Sequence, residues 1–229
     1  MNHPSAIKHH SSGNLQPLYR ATWILSLLML FIIPMQVLIY VLAPPPESVF
    51  GFFQLFSRNP FLGLLSLDFL YLFNNIIVAV IYVALFSLLF RERPVTNILA
   101  LLFGLIGVAC YYPSNPAFEM MTLSHQYIQS AAESQHLYLA AGEAVMAAYT
   151  GTSFNTYYVL STLCLLLFSY ALLKSPQFKG SIGLWGLASG FFMIIPSSAG
   201  TIGIIFSLLS LIPWVVFVAL LMVHFRKLA

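Results

Sequence analysis

The 229-residue sequence is 60% hydrophobic and only 7% charged, with a formal net charge of +3. A soluble domain is about 25% charged, so these few charges cannot clothe a water-facing surface, and lipid must solvate most of the chain. A nucleic-acid partner is excluded as well, because the basic residues flank apolar runs and form no patch.

Residues 1–20 are polar and carry His3, Lys8, His9, His10 and Arg20. They read as a disordered cytoplasmic tail in which the His9–His10 pair has no assigned role. The apolar run that follows is about 22 residues long, which exceeds a signal-peptide core. Pro44 blocks a cut after Ala43, so the first span is expected to stay uncleaved. Runs near the ~20-residue length that crosses a ~30 Å hydrocarbon core predict six spans, at 21–43, 62–90, 95–113, 154–174, 181–196 and 203–225.

The connections carry their own signals. Residues 44–60 open with three prolines and continue with Val49, Phe50, Phe52, Phe53 and Phe56, predicting a short helix in the headgroup region. Asn59 followed by Pro60 is a helix start, and Pro94 opens the third span in the same way. Cys110 and Cys164 fall at depths that differ by about 9 Å on a 1.5 Å rise per residue, beyond the ~7 Å reach of a disulfide, so both read as free thiols.

Residues 114–153 contain no Lys or Arg. Phe118, Met121, His125, Ile128 and Ala132 recur at helical spacing, as do Leu137, Ala141, Ala144, Val145 and Ala148. They predict two amphipathic helices, broken near Ser134, lying over the outer mouth of the bundle. Gly151 ends the second, and Thr152 or Ser153 is expected to cap the fourth span. In the fifth span Gly186 and Gly190, with Gly183 and Ser189, allow close helix approach. The expected partner is internal, with Ala100, Gly104 and Gly107 of the third span a candidate. Pro213 is expected to kink the sixth span, with Ser207, Ser210 or a neighbouring helix taking up the freed carbonyl.

With the N-terminus inside, the inner segments hold Lys8, Arg20, Arg91, Arg93, Lys174, Lys179, Arg226 and Lys227, and only Arg58 lies outside. That bias follows the positive-inside rule and needs an even number of spans. The expectation is an all-α, polytopic protein of the inner (plasma) membrane with both termini cytoplasmic.

Asp68 is the one acidic residue well inside a predicted span, and an intramembrane carboxylate suggests a functional site because it is expensive to keep there. Asp68, Tyr71, Asn75 and Tyr82 fall on one helical stripe, with Asn74 off it. Asn155, Tyr158, Thr162 and Ser169 repeat the same spacing on the fourth span. The two stripes predict a polar seam between the second and fourth helices, serving as a ligand or proton site or as plain helix-to-helix hydrogen bonding. The outer loop adds Glu119, His125, Glu133, His136 and Glu143. Glu133 and His136 match half of a di-iron motif, which needs a second half and further carboxylates, so a solvated face is predicted and no metal or cofactor is expected. No nucleophile elbow, zinc-protease motif or phosphate loop is present.

Ser114-Asn115-Pro116-Ala117-Phe118-Glu119-Met120, Ala140-Ala141-Gly142-Glu143-Ala144 and Gly151-Thr152-Ser153-Phe154-Asn155 resemble bacterial membrane proteins of the domain-of-unknown-function 4386 type, over most of the chain from the second span onward. The resemblance implies a bacterial multi-pass protein with an outer-loop signature, and it draws interest to Glu119 and Glu143. It implies no activity.

Three functions are weighed. The first is a non-enzymatic protein that binds or moves a small apolar or amphipathic molecule in the seam, with Asp68, Asn75 and Asn155 as its polar groups. The second is an intramembrane enzyme on lipid-like substrates, with Asp68 and Glu119 or Glu143 as the acid–base pair. The third is a structural or regulatory subunit whose stripes touch directly and leave no cavity. The expected partners are the bilayer and the small ligand.

Overall fold

The structure, a computed structural model, describes residues 15–229. His3, Lys8, His9 and His10 lie outside the described residues. Ten α-helices follow in chain order: α1 (Gln16–Leu42), α2 (Val49–Arg58), α3 (Pro60–Leu65), α4 (Phe69–Leu89), α5 (Pro94–Tyr111), α6 (Ala117–Gln129), α7 (Gln135–Tyr149), α8 (Thr152–Lys174), α9 (Gly180–Phe192) and α10 (Gly200–Leu228). The described residues form no strand. Five helical segments are long and apolar enough to cross a membrane, those containing α1, α4, α5, α8 and α10. This is compatible with a multi-pass membrane protein.

The long helices pack in a closed ring. α1 lies on α4, α4 on α5, α5 on α8, α8 on α9, α9 on α10, and α10 returns to α1. α8 is the most heavily packed member because small residues open two of its faces. Gly104 of α5 abuts Cys164, and Gly107 abuts Ser161. On the other side Gly183, Gly186 and Gly190 of α9 abut Ser169, Leu173 and Leu166. The glycines of α5 and α9 are therefore not partners of each other, as the sequence had suggested; both sets close onto α8. Cys110 and Cys164 are free thiols.

The short helices make a second unit at one end of the ring. Phe52, Phe53 and Phe56 of α2 pack with Leu67, Ala117 and Met120. Ser124 of α6 donates to the Phe53 carbonyl at 2.9 Å. The packed face of α6 is thus Ala117, Met120 and Ser124, whereas Phe118, His125 and Ile128 of the predicted apolar face are exposed. On α7 the buried position is Gly142, against Val49 and Phe53, and Leu137 is exposed. These helices are apolar on two sides, and the small residues decide which side α2 can approach.

Three predicted boundaries are corrected. Helix α1 begins at Gln16, inside the predicted tail, because Pro17 suits a first turn. The predicted span 62–90 is broken: α3 stops at Leu65, and α4 starts only after Asp68, whose φ of 59° is left-handed. α9 has 13 residues, about 20 Å of helix, and the chain then runs irregularly from Met193 to Ala199 before α10. One local expectation holds and another changes. Asn59 does cap α3, accepting from the Leu62 amide at 3.0 Å. Thr152 and Ser153 do not cap α8; the helix starts at Thr152, and the Ser153 hydroxyl goes to the Cys110 carbonyl at 2.7 Å. α10 continues through Pro213; Ser189 and Ser210 donate to the carbonyls of Ser210 and Ser207, not to the Leu209 carbonyl that Pro213 frees.

The break between α3 and α4 is held from two sides. Gln36 of α1 donates to the Leu65 carbonyl at 3.1 Å, and Asn115 donates to the Leu67 carbonyl at 2.7 Å. Irregular backbone at membrane depth is tolerated only where protein satisfies it. Asn115→Ala orphans a buried carbonyl, which costs about 1–3 kcal/mol. Thermal unfolding in detergent should show a lower midpoint than wild type; an unchanged midpoint means the Leu67 carbonyl finds another donor.

Candidate functional site

α4 and α8 face each other across the interior of the ring, and between them lies a cavity of about 100 Å³. α4 supplies Tyr71, Asn74, Asn75, Val78 and Tyr82 to its wall. α8 supplies Tyr157, Tyr158, Ser161 and Leu165, and α10 supplies Ser207, Ser210, Leu211 and Trp214. Ile33 of α1 and Met193, just past α9, close it. The end of α9 matters here. Because that helix stops at Phe192, the Met193 carbonyl is free to accept from Thr162 at 2.9 Å, and Met193 lines the cavity.

Several polar atoms of this wall have no protein partner. Asn74, Asn75 and Ser161 are 5%, 1% and 5% exposed, and the side-chain oxygen of each lacks a hydrogen bond. The amide nitrogen of Asn75 is occupied, donating to the Tyr71 carbonyl at 3.0 Å. A buried polar atom without a partner costs about 1–3 kcal/mol, and nearly all such atoms in native proteins are satisfied. No charged side chain lines the cavity among the described residues. About 100 Å³ is several times the ~10–15 Å³ that one water needs, and somewhat less than the ~150 Å³ of a cavity that holds benzene.

Asp68 stands elsewhere. It sits in the break just ahead of α4, is not among the lining residues, and accepts from the hydroxyls of Tyr40 of α1, at 2.5 Å, and Tyr149 of α7. One carboxyl ties the ring, through α1, to the end unit, through α7. Asparagine and aspartate tolerate left-handed backbone better than other non-glycine residues, which suits Asp68 to the turn.

Of the residues predicted for the seam, Tyr71, Asn75, Tyr82 and Tyr158 share the cavity. Asn155 instead anchors a connection, donating to the Thr150 and Gly151 carbonyls and accepting from Ser198 at 2.7 Å. Thr162 bonds the Tyr158 and Met193 carbonyls. Ser169 packs on Gly186. Glu119, His125 and Glu143 are exposed on α6 and α7, and Asp68 bonds neither glutamate. No group of three or more metal-binding side chains occurs among the described residues.

Asn74, Tyr157, Ser161, Ser207 and Trp214 were not anticipated. Asn74 was set aside because a 100° wheel turns it off the stripe, yet a cavity accepts a wider arc of a helix than a flat contact does. The tyrosines and serines gave no signal, since such residues recur throughout apolar helices. No protein-family model matches this chain, and neither does any curated protein or solved structure.

Proposed function

We propose that this is a multi-pass membrane protein that binds, and in the fuller reading moves, a small amphipathic molecule in the cavity between α4 and α8. The observation that carries it is a set of buried, unpartnered oxygens on Asn74, Asn75 and Ser161 around an empty volume. Plain helix-to-helix hydrogen bonding, as in a structural subunit, would pair those atoms and leave no cavity. The tyrosines and Trp214 supply the apolar wall and a few polar groups fix orientation, the usual make-up of a small-molecule site. The exposure of both glutamates counts against the acid–base pair that an enzyme on lipid-like substrates would require.

The proposed membrane arrangement has six crossings: α1, α4, α5, α8, α9 with its irregular extension, and α10. Arg91 and Arg93 lie in the α4–α5 turn, Lys174 and Lys179 between α8 and α9, and Arg226 and Lys227 at the end of α10. That end is knitted by Gln16 to the Ala229 carbonyl and by Gln177 to Glu92. By the positive-inside rule it is cytoplasmic, and the unit of α2, α3, α6 and α7 covers the outer end of an inner (plasma) membrane protein. The resemblance to the domain-of-unknown-function 4386 type is proposed on the same footing, with its loop segments supplying structural residues such as Asn115.

Asn75→Leu is the test. It removes an unpartnered oxygen and fills space while leaving the ring intact. Purified wild-type and variant chains are extracted and compared by small-molecule mass spectrometry. A compound present at near-stoichiometric level in wild type and absent from the variant is expected; identical extracts would remove the support for the site.

A further inference from the structure

The wall of the cavity also limits what can occupy it. This step rests on the cavity being a ligand site. The free oxygens of the two asparagine amides are acceptors only, because an amide oxygen has lone pairs and no proton. One N–H of the Asn75 amide goes to the Tyr71 carbonyl at 3.0 Å. An occupant that satisfies Asn74 and Asn75 must therefore bring N–H or O–H groups. No lysine, arginine or histidine among the described residues lines the cavity to receive an anion. No aspartate or glutamate lines it to receive a cation, and the Asp68 carboxyl is already engaged by Tyr40 and Tyr149. Carrying either sign of charge into this wall leaves it without a counter-charge, which costs far more than the site can return. The rest of the lining, including Ile33, Val78, Leu165, Leu211 and Trp214, is apolar and fits a compact hydrocarbon body. Against a ~150 Å³ cavity that holds the six carbons of benzene, about 100 Å³ suits about four or five heavy atoms.

We propose that the site selects a small uncharged hydrogen-bond donor, of the class of short branched alcohols or primary amides, and rejects ions of either sign. The donor is placed between Asn74, Asn75 and Ser161, and the carbon body lies against Trp214 and its apolar neighbours.

Trp214 is a built-in reporter. With Trp23 and Trp185 changed to Phe, its emission is followed in the full chain in lipid nanodiscs. Three probes of one shape are titrated: tert-butanol, tert-butylammonium chloride and isobutane. The expected result is a saturable change with tert-butanol and at least tenfold weaker responses from the other two. Asn75→Leu and Ser161→Ala should each weaken tert-butanol about tenfold; if either chain misfolds, the comparison of probes in the parent chain decides alone. If the ammonium or isobutane binds as tightly as tert-butanol, the donor selectivity is overturned while the cavity remains a ligand site. If none of the three gives a saturable change, the ligand site is overturned with it.

Discussion

Asp68→Ala lowers the thermal unfolding midpoint of the detergent-solubilised protein by about 6–12 °C. The substitution removes both hydrogen bonds that join Tyr40 and Tyr149 through one carboxyl. A hydrogen bond contributes about 0.5–1.5 kcal/mol, and one to a charged group about 1.5–3 kcal/mol. Alanine also fits the left-handed φ of 59° at this position poorly. A total of about 3 kcal/mol converts at roughly 2–4 °C per kcal/mol for a chain of this size. Asp68→Asn is expected to lose about a third as much, since asparagine tolerates the backbone and still accepts from one tyrosine. Asp68→Gly should fall between them, with the backbone relaxed and the clasp gone. An Asp68→Ala protein that melts with wild type would show that α1 and α7 are held together without this carboxyl.

The second large effect is expected at the α8–α9 contact. A Cβ at Gly183 would lie 2.8 Å from the Ser169 carbonyl oxygen and 2.9 Å from the Leu173 amide nitrogen. Both are backbone atoms, so no side chain can swing aside and the helices must separate. Overpacking of this kind costs about 1–3 kcal/mol, and Gly183→Ala should lower the midpoint by roughly 2–12 °C on the same conversion. The separation also moves Met193, at the end of α9, away from the cavity, so binding at Trp214 should weaken in parallel. Gly180→Ala is the control, since nothing lies within 4 Å of its added Cβ; equal melting of the two variants would contradict the packing described.

Much of the helical layout was legible because an apolar run of membrane length leaves few alternatives. The runs behind α1, α5, α8 and α10 matched helices within a few residues at most ends. The break at Asp68 was not legible. The run from Leu62 to Phe90 is apolar enough to be one helix, and the reasons it is not are distant in sequence: Gln36, Asn115 and Tyr149 each bond the break from another helix or connection. Asp68 stands out in the sequence as an unusual residue, but a carboxyl can be unusual because it clasps two elements as readily as because it meets a ligand. The stripe on α4 pointed toward the cavity through Tyr71, Asn75 and Tyr82. Its counterpart on α8 did so only at Tyr158, because Asn155 and Thr162 are spent on the connections at 150–151 and 193–198.

The most direct measurement is the reactivity of a single cysteine inside the cavity. Ser161→Cys is made in a chain whose Cys110 and Cys164 are replaced by Ser and Ala, and the small uncharged reagent methyl methanethiosulfonate is added to the protein in lipid nanodiscs. Modification slowed by saturating tert-butanol is the expected result for a ligand cavity between α4 and α8. A cysteine modified at the same rate with and without tert-butanol would contradict it.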